Sequence, residues 1–217
     1  MTIDEQSDEE FWNNRYSESE QIWSGRPNVV LVLETADLTP GRALDLGCGE
    51  GADAIWLARQ GWQVTAVDLS SVALARAADH AAGSGEEVAA RIDWQQCDLG
   101  KTFPDGTYDL VSAQFLHSLG DMPREEILRR AAAAVAPGGI LLIEGHLGFP
   151  SWEHDHHPDI HFPTPDEVVA DLHLPDGEWE ILLSRTHPRD HTSPDGNHTS
   201  RPDATVKLRR LPRGTEV

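Results

Sequence analysis

Ala43-Leu44-Asp45-Leu46-Gly47-Cys48-Gly49-Glu50-Gly51 is an apolar strand that breaks into three alternating glycines and opens a helix at Ala52. Glycine lets a turn adopt dihedrals closed to other residues and lets backbone come close to a ligand. The loop therefore reads as a cradle for a nucleotide-like molecule. The next apolar strand, Val64-Thr65-Ala66-Val67, ends in Asp68. That is where a ribose-binding carboxylate belongs in a β-α-β unit.

Strands and helices alternate outward from this pair: strand 42–46, helix 52–60, strand 63–68, helix 71–82, strands 91–96 and 108–114, helix 123–135 and strand 140–145. Such alternation implies a parallel sheet covered on both faces. Gly61, Ser70 and the run Pro137-Gly138-Gly139 punctuate the boundaries, the Gly138-Gly139 pair reading as a tight turn. Thr164-Pro165-Asp166-Glu167 reads as a capping box that opens a helix to about Leu172. Strand-like stretches Trp179 to Thr186 and Ala204 to Leu211 flank a turn at Ser193 to Asn197, which predicts a terminal antiparallel hairpin. Residues 1–41 carry Phe11, Trp12, Tyr16 and Trp23 and the apolar stretch Val29 to Leu33, and predict two short helices. The 217 residues suit one domain. Its expected parts are a helical cap (1–41), a ligand-binding core (42–145), and a substrate-side segment with the hairpin (146–217).

Lys and Arg number 17 against 37 Asp and Glu, a formal charge of -20. Such a surface repels phosphate backbones and anionic lipid, so neither a nucleic-acid nor a membrane partner is expected. The N-terminus lacks the basic and apolar regions of a signal peptide, which predicts a cytoplasmic protein. Cys48 and Cys97 have no CxxC spacing and read as free thiols.

A dinucleotide loop spaces its glycines G-x-G-x-x-G so that a pyrophosphate sits on the helix N-terminus. Here the spacing is Gly47-x-Gly49-x-Gly51, with Asp45 before it. A carboxylate there would repel pyrophosphate but suits a ligand carrying an ammonium and a sulfonium, which describes S-adenosylmethionine. An NAD-dependent oxidoreductase is correspondingly disfavoured.

The chain resembles class I S-adenosylmethionine-dependent methyltransferases over residues 42–145. The resemblance runs through the glycine loop, Val67-Asp68-Leu69-Ser70, Cys97-Asp98-Leu99, Tyr108-Asp109-Leu110-Val111 and Ala136-Pro137-Gly138-Gly139. It implies a Rossmann-like α/β three-layer sandwich with a mostly parallel seven-stranded sheet and an antiparallel C-terminal hairpin. It further implies that Asp45, Gly47, Cys48, Gly49 and Gly51 border the methionine part and that Asp68 binds the ribose hydroxyls. Asp98 would take the adenine amino group, Leu69 and Leu99 the adenine faces, and Gln114 would face the methyl. S-adenosylhomocysteine would be the product. Trp12-x-x-Arg15-Tyr16 with Trp23, and Asp195-Gly196-Asn197 before a basic strand, are similar to tellurite-resistance and thiopurine S-methyltransferase-like proteins. In those an N-terminal segment covers the cofactor, so Trp23 and Arg15 are candidates to cap it, while Trp12 and Tyr16 equally suit packing on the sheet.

The fourth strand ends Ser112-Ala113-Gln114-Phe115-Leu116-His117 and lacks the Asn/Asp-Pro-Pro-aromatic pattern of enzymes that methylate amide or adenine nitrogen. A small-molecule acceptor is expected, a thiol or chalcogen compound among the candidates. His117, His146 and His191 are substrate-side catalytic candidates. His154, His156, His157 and His161 crowd one segment and would be the ligands if a metal bound, although they lack fixed helical spacing and no metal is required. The competing reading is a non-catalytic metal-binding or metal-sensing protein built on the same fold. Oligomeric state is not legible.

Overall fold

A computed structural model describes residues 7–118, 122–149, 161–193 and 195–212. Seven helices occur among them: α1 Asp8–Ser17, α2 Val29–Thr35, α3 Ala52–Arg59, α4 Ser71–Gly83, α5 Glu86–Ala89, α6 Arg124–Ala133 and α7 Pro165–Asp171. The strands are β1 Arg42–Leu46, β2 Gln63–Asp68, β3 Ile92–Gln96, β4 Tyr108–Gln114, β5 Val135–His146, β6 Trp179–Thr192 and β7 His198–Arg210. They form one sheet in the order β3-β2-β1-β4-β5-β7-β6. The first five are parallel, and β7 runs antiparallel to both β5 and β6. This is the mostly parallel seven-stranded α/β sandwich with a C-terminal hairpin that the resemblance implies.

Local chemistry explains several boundaries. Ser7 and Glu10 close a capping box on α1, and Thr164 and Glu167 close another on α7 with Pro165 in its first turn. Ser70 caps α4 by accepting the Ala73 N–H. Two apolar clusters pack the opposite faces of the sheet: Leu44, Val111, Ile127 and Leu141 on the α6 side, and Ala43, Leu57, Leu110 and Leu142 on the α3 side. The strands are buried on both faces, as parallel strands between helices must be.

Two expectations need correction, and one short helix had not been foreseen. Pro137-Gly138-Gly139 does not form a turn outside the sheet but lies within β5, which begins at Val135. The irregularity is absorbed as a register shift against β4 between Tyr108 and Leu110, with Gly138 at φ +85°. The hairpin is longer than predicted at both strands. Pro188 and Pro202 would ordinarily exclude a strand interior, yet they stand opposite each other in the register, so two missing donors coincide. The short helix α5, after Gly85, had no apolar period to announce it.

Candidate functional site

A cleft of about 1040 Å³ opens at the C-terminal ends of β1, β2 and β4. Gly47, Gly49 and Gly51 all take positive φ between β1 and α3. At Gly49 a Cβ would stand 3.0 Å from the Tyr16 hydroxyl oxygen, and at Gly51 it would stand 2.6 Å from the Trp94 ring. Gly49 thus keeps the loop low beneath the N-terminal segment. Gly51 does not line the cleft; it lets α3 and its loop close against β3 and α4.

Asp68 organises the loop through both oxygens. Its Oδ2 accepts the Gly49 N–H at 2.8 Å and its Oδ1 the Ser70 N–H at 2.9 Å. Burial raises its pKa against these bonds. Asp45 is 2% exposed, and its Oδ2 has no hydrogen-bond partner among the described residues. Burial first, then the charges of Asp53 and Asp68, push its carboxyl well above the usual range. A buried carboxylate oxygen without a partner is costly unless a ligand completes it. A cation fits that position. The Cys48 thiol is likewise pushed up, by burial and by Asp68 and Asp45, which leaves it a poor nucleophile.

The N-terminal segment forms the roof. Glu50, in the glycine loop, accepts the Ile22 and Trp23 N–H groups at 3.2 and 3.0 Å and pairs with Arg76 at 3.0 Å. Asp53 accepts the backbone and side-chain N–H groups of Asn28, both at 2.7 Å. On α1, Asn13 accepts the Ser70 hydroxyl at 2.7 Å, and Glu9 accepts from Gln96 at 2.8 Å. Trp23 donates its indole N–H to the buried Tyr16 hydroxyl at 3.1 Å. Tyr16 packs into the core and Trp12 lines the cleft, while Arg15 points outward to Glu18.

Of the residues expected near a cofactor, Trp23, Asp45, Gly47, Cys48, Gly49, Asp68, Leu69, Asp98, Leu99 and Gln114 all line the cleft. Asp98 pairs with Lys101 at 2.7 Å and accepts the Gly100 N–H. Gln114 donates to Ser112, and its carbonyl oxygen has no partner among the described residues.

The far end of the cleft is built from β4, β5 and the hairpin. Phe115, His146 and His117 stack, with ring centroids 4.4 and 5.2 Å apart. Phe115 holds φ +54°, an uncommon conformation for an aromatic residue. His117 Nε2 accepts the His146 backbone N–H at 3.4 Å, and burial with the nearby Arg124 drives its pKa down to about 3. His146 Nδ1 meets Asp203 Oδ1 at 2.9 Å, and the Arg201 guanidinium lies against its ring nitrogens. Burial and the two arginines 201 and 189 hold His146 below its ordinary value despite Asp203. The His117 ring is therefore neutral, with its Nε2 engaged by the His146 N–H, and His146 is a weaker base than a free imidazole. Sequence reasoning missed Arg189, Arg201 and Asp203, which lay between the expected strands and the turn at Ser193 to Asn197, in stretches assigned to no element.

His191 lies on β6 opposite Thr199, and its side chain is outside the described residues. So are His154, His156 and His157. His161 faces Glu167 at the surface, 3.4 Å away. Among the described residues no group of three or more His, Cys, Asp or Glu could hold a metal ion. None of the described helices is long and apolar enough to cross a membrane.

Residues 43–139 match the family described as a methyltransferase domain. The chain is similar to ribosomal RNA small subunit methyltransferase C of Chromohalobacter salexigens, 36% identical over 141 residues, covering 60% of this chain and 40% of that protein. It is also similar to 27-O-demethylrifamycin SV methyltransferase of Amycolatopsis mediterranei, 36% identical over 125 residues, covering 56% and 43%. The chain spans less than half the length of these relatives. The crystal structure of TehB from Haemophilus influenzae shares the fold, with a TM-score of 0.65 at 19% identity over 94% of this chain and 67% of that one.

Proposed function

On the premise that residues 43–139 are a class I S-adenosylmethionine-dependent methyltransferase domain, we propose that this chain transfers a methyl group to a small molecule bound at the far end of the cleft. The observation that carries the reading is Asp45, a buried carboxylate with an oxygen lacking a partner, set beside the glycine loop that Asp68 holds in place. S-adenosylmethionine, when bound, supplies a sulfonium-activated methyl for in-line displacement. Asp45 would neutralise the cationic methionine end, Asp68 would bind the ribose, and Leu69 and Leu99 would flank the adenine near Asp98. Gln114 would present its unpartnered carbonyl toward the reacting centre. The roof fixed by Glu50 and Asp53 would exclude water, which strengthens each of these interactions.

The finer reading is a thiol or chalcogen acceptor. His117 and His146 are both held below the ordinary imidazole range, which makes them poor bases, and a soft nucleophile that ionises near neutral pH needs no base. A small acceptor is favoured over RNA because a charge of -20 opposes a phosphate backbone. The cytoplasm suits two unpaired cysteines.

Calorimetric titration with S-adenosylhomocysteine tests the reading, with micromolar binding expected. No binding by folded protein overturns it. Incubation with S-adenosylmethionine labelled at the methyl, against matched thiols, alcohols and amines, tests the acceptor. Label in an alcohol or amine but in no thiol overturns the finer part.

A further inference from the structure

The cleft is electrically polarised along its length. Asp45, Glu50, Asp53 and Asp68 line the glycine-loop end. Beyond Gln114 the wall changes to Phe115, His117, His146, Arg189 and Arg201. A chain with more than twice as many acidic as basic residues thus turns two guanidiniums toward one small space. Arg189 and Arg201 are register partners across the hairpin, so they leave the same face of the sheet side by side.

Their supports are built in. Asp203 is fully buried two residues further along β7 and lies 2.7 Å from Arg189 Nε and 3.6 Å from Arg201 Nε. The Arg189 contact is an ion pair without hydrogen-bond alignment: Arg189 Nε and Asp203 Oδ2 are both out of solvent, and neither completes a hydrogen bond among the described residues. Arg189 also lies over the Phe115 ring at 4.6 Å, and Phe115 is itself stacked on His146. Such stacking holds a guanidinium flat while leaving its edge for an in-plane partner. The side chain of Arg189 is 39% exposed and lines the cleft, while its Nε is the nitrogen held out of solvent beside Asp203.

We propose that this end of the cleft binds a carboxylate carried by the methyl acceptor, with Arg189 as the forked donor and Arg201 beside it. The inference rests on the reading of the cleft as a methyl-transfer site. A planar guanidinium matches a carboxylate with two parallel N–H···O bonds, and such charge-assisted pairs are the stronger kind of hydrogen bond. The polarity also orients the guest. An acidic group is drawn to the arginines and kept from Asp45 and Asp68, so the acceptor's other end is turned toward the methyl.

The test uses benzoate as probe, with benzamide as its uncharged isostere and sulfate as an inorganic oxyanion. Each is titrated by calorimetry into the protein saturated with S-adenosylhomocysteine. Benzoate is expected to bind at least about tenfold more tightly than benzamide or sulfate. Arg189→Gln is expected to remove that preference while leaving S-adenosylhomocysteine affinity within about twofold, which also shows that the variant folds. Arg189→Lys keeps charge without the fork and should recover only part of it. Equal binding of benzoate and benzamide, tighter binding of sulfate than benzoate, no benzoate binding up to about 10 mM, or an unaltered preference in Arg189→Gln each overturns the proposal. Failure of S-adenosylhomocysteine to bind would instead overturn the methyl-transfer reading, and benzoate can then be scored on the unliganded protein.

Discussion

The Glu50 carboxylate accepts the Trp23 N–H at 3.0 Å, so the residue between two loop glycines is also the clasp of the roof. Glu50→Gln keeps the volume but loses the ion pair with Arg76 and weakens the bonds to the 22–23 backbone. S-adenosylhomocysteine affinity should fall roughly tenfold, with a loss of about 1–3 kcal/mol of stability. Calorimetry and limited proteolysis between residues 17 and 28 would read both. Unchanged cleavage there would mean the clasp does not hold the roof.

Asp68→Ala removes the acceptor of two loop N–H groups together with the expected ribose ligand. Binding of S-adenosylhomocysteine should weaken by about 100-fold or more, near 2.7 kcal/mol. His161→Ala, at the surface beside Glu167, should leave it unaltered. Comparable losses in the two variants would show the ribose site misplaced.

Asp45 predicts a proton signal. Its carboxyl is held above the usual range in the absence of a cation, and a bound cation favours the ionised form. Binding of S-adenosylmethionine should therefore release protons, and affinity should rise with pH until Asp45 is ionised without the ligand. Calorimetry in buffers of different ionisation heat measures the release. Asp45→Asn should abolish most of it.

Two groups of opposite sign, His117 and Glu144, should contribute to the pH dependence of stability. His117 is pushed from 6.5 down to about 3, so on acidification below 6.5 the unfolded chain takes up a proton that the folded one refuses, and stability falls. Glu144 is raised from 4.5 to about 7, chiefly by burial, so the folded state holds the extra proton and stability falls as pH rises through that window. Urea titrations at several pH values should show a shallower acid loss in His117→Gln. Glu144→Gln should gain on the wild type more at about pH 8 than at pH 4.5.

The glycine-loop end of the cleft was legible because each of its parts is local. The spacing of Gly47, Gly49 and Gly51 forces the loop, and Asp68 follows a recognisable strand. The far end was not legible because it is assembled across the sheet. Arg189, Arg201, Asp203 and His146 come from three strands, and each of those strands carries a proline that argues against strand structure. Glu50 escaped notice for another reason: as the variable residue of a glycine pattern, nothing in the sequence shows that its partners are the Ile22 and Trp23 amides. The roof illustrates the same limit, since Asn13 reaches Ser70 and Asp8 reaches Ser118, pairs with no periodic signature.

Those same separations govern the order of assembly. Asp8 takes its bond from a residue 110 positions later and Glu9 from one 87 positions later. On the ribosome, α1 is therefore made long before anything exists for it to rest on, and must wait until β4 has emerged. The part of the chain synthesised ahead of the core settles only once about half of the chain has been made, and until then the roof is open to chaperones and proteases.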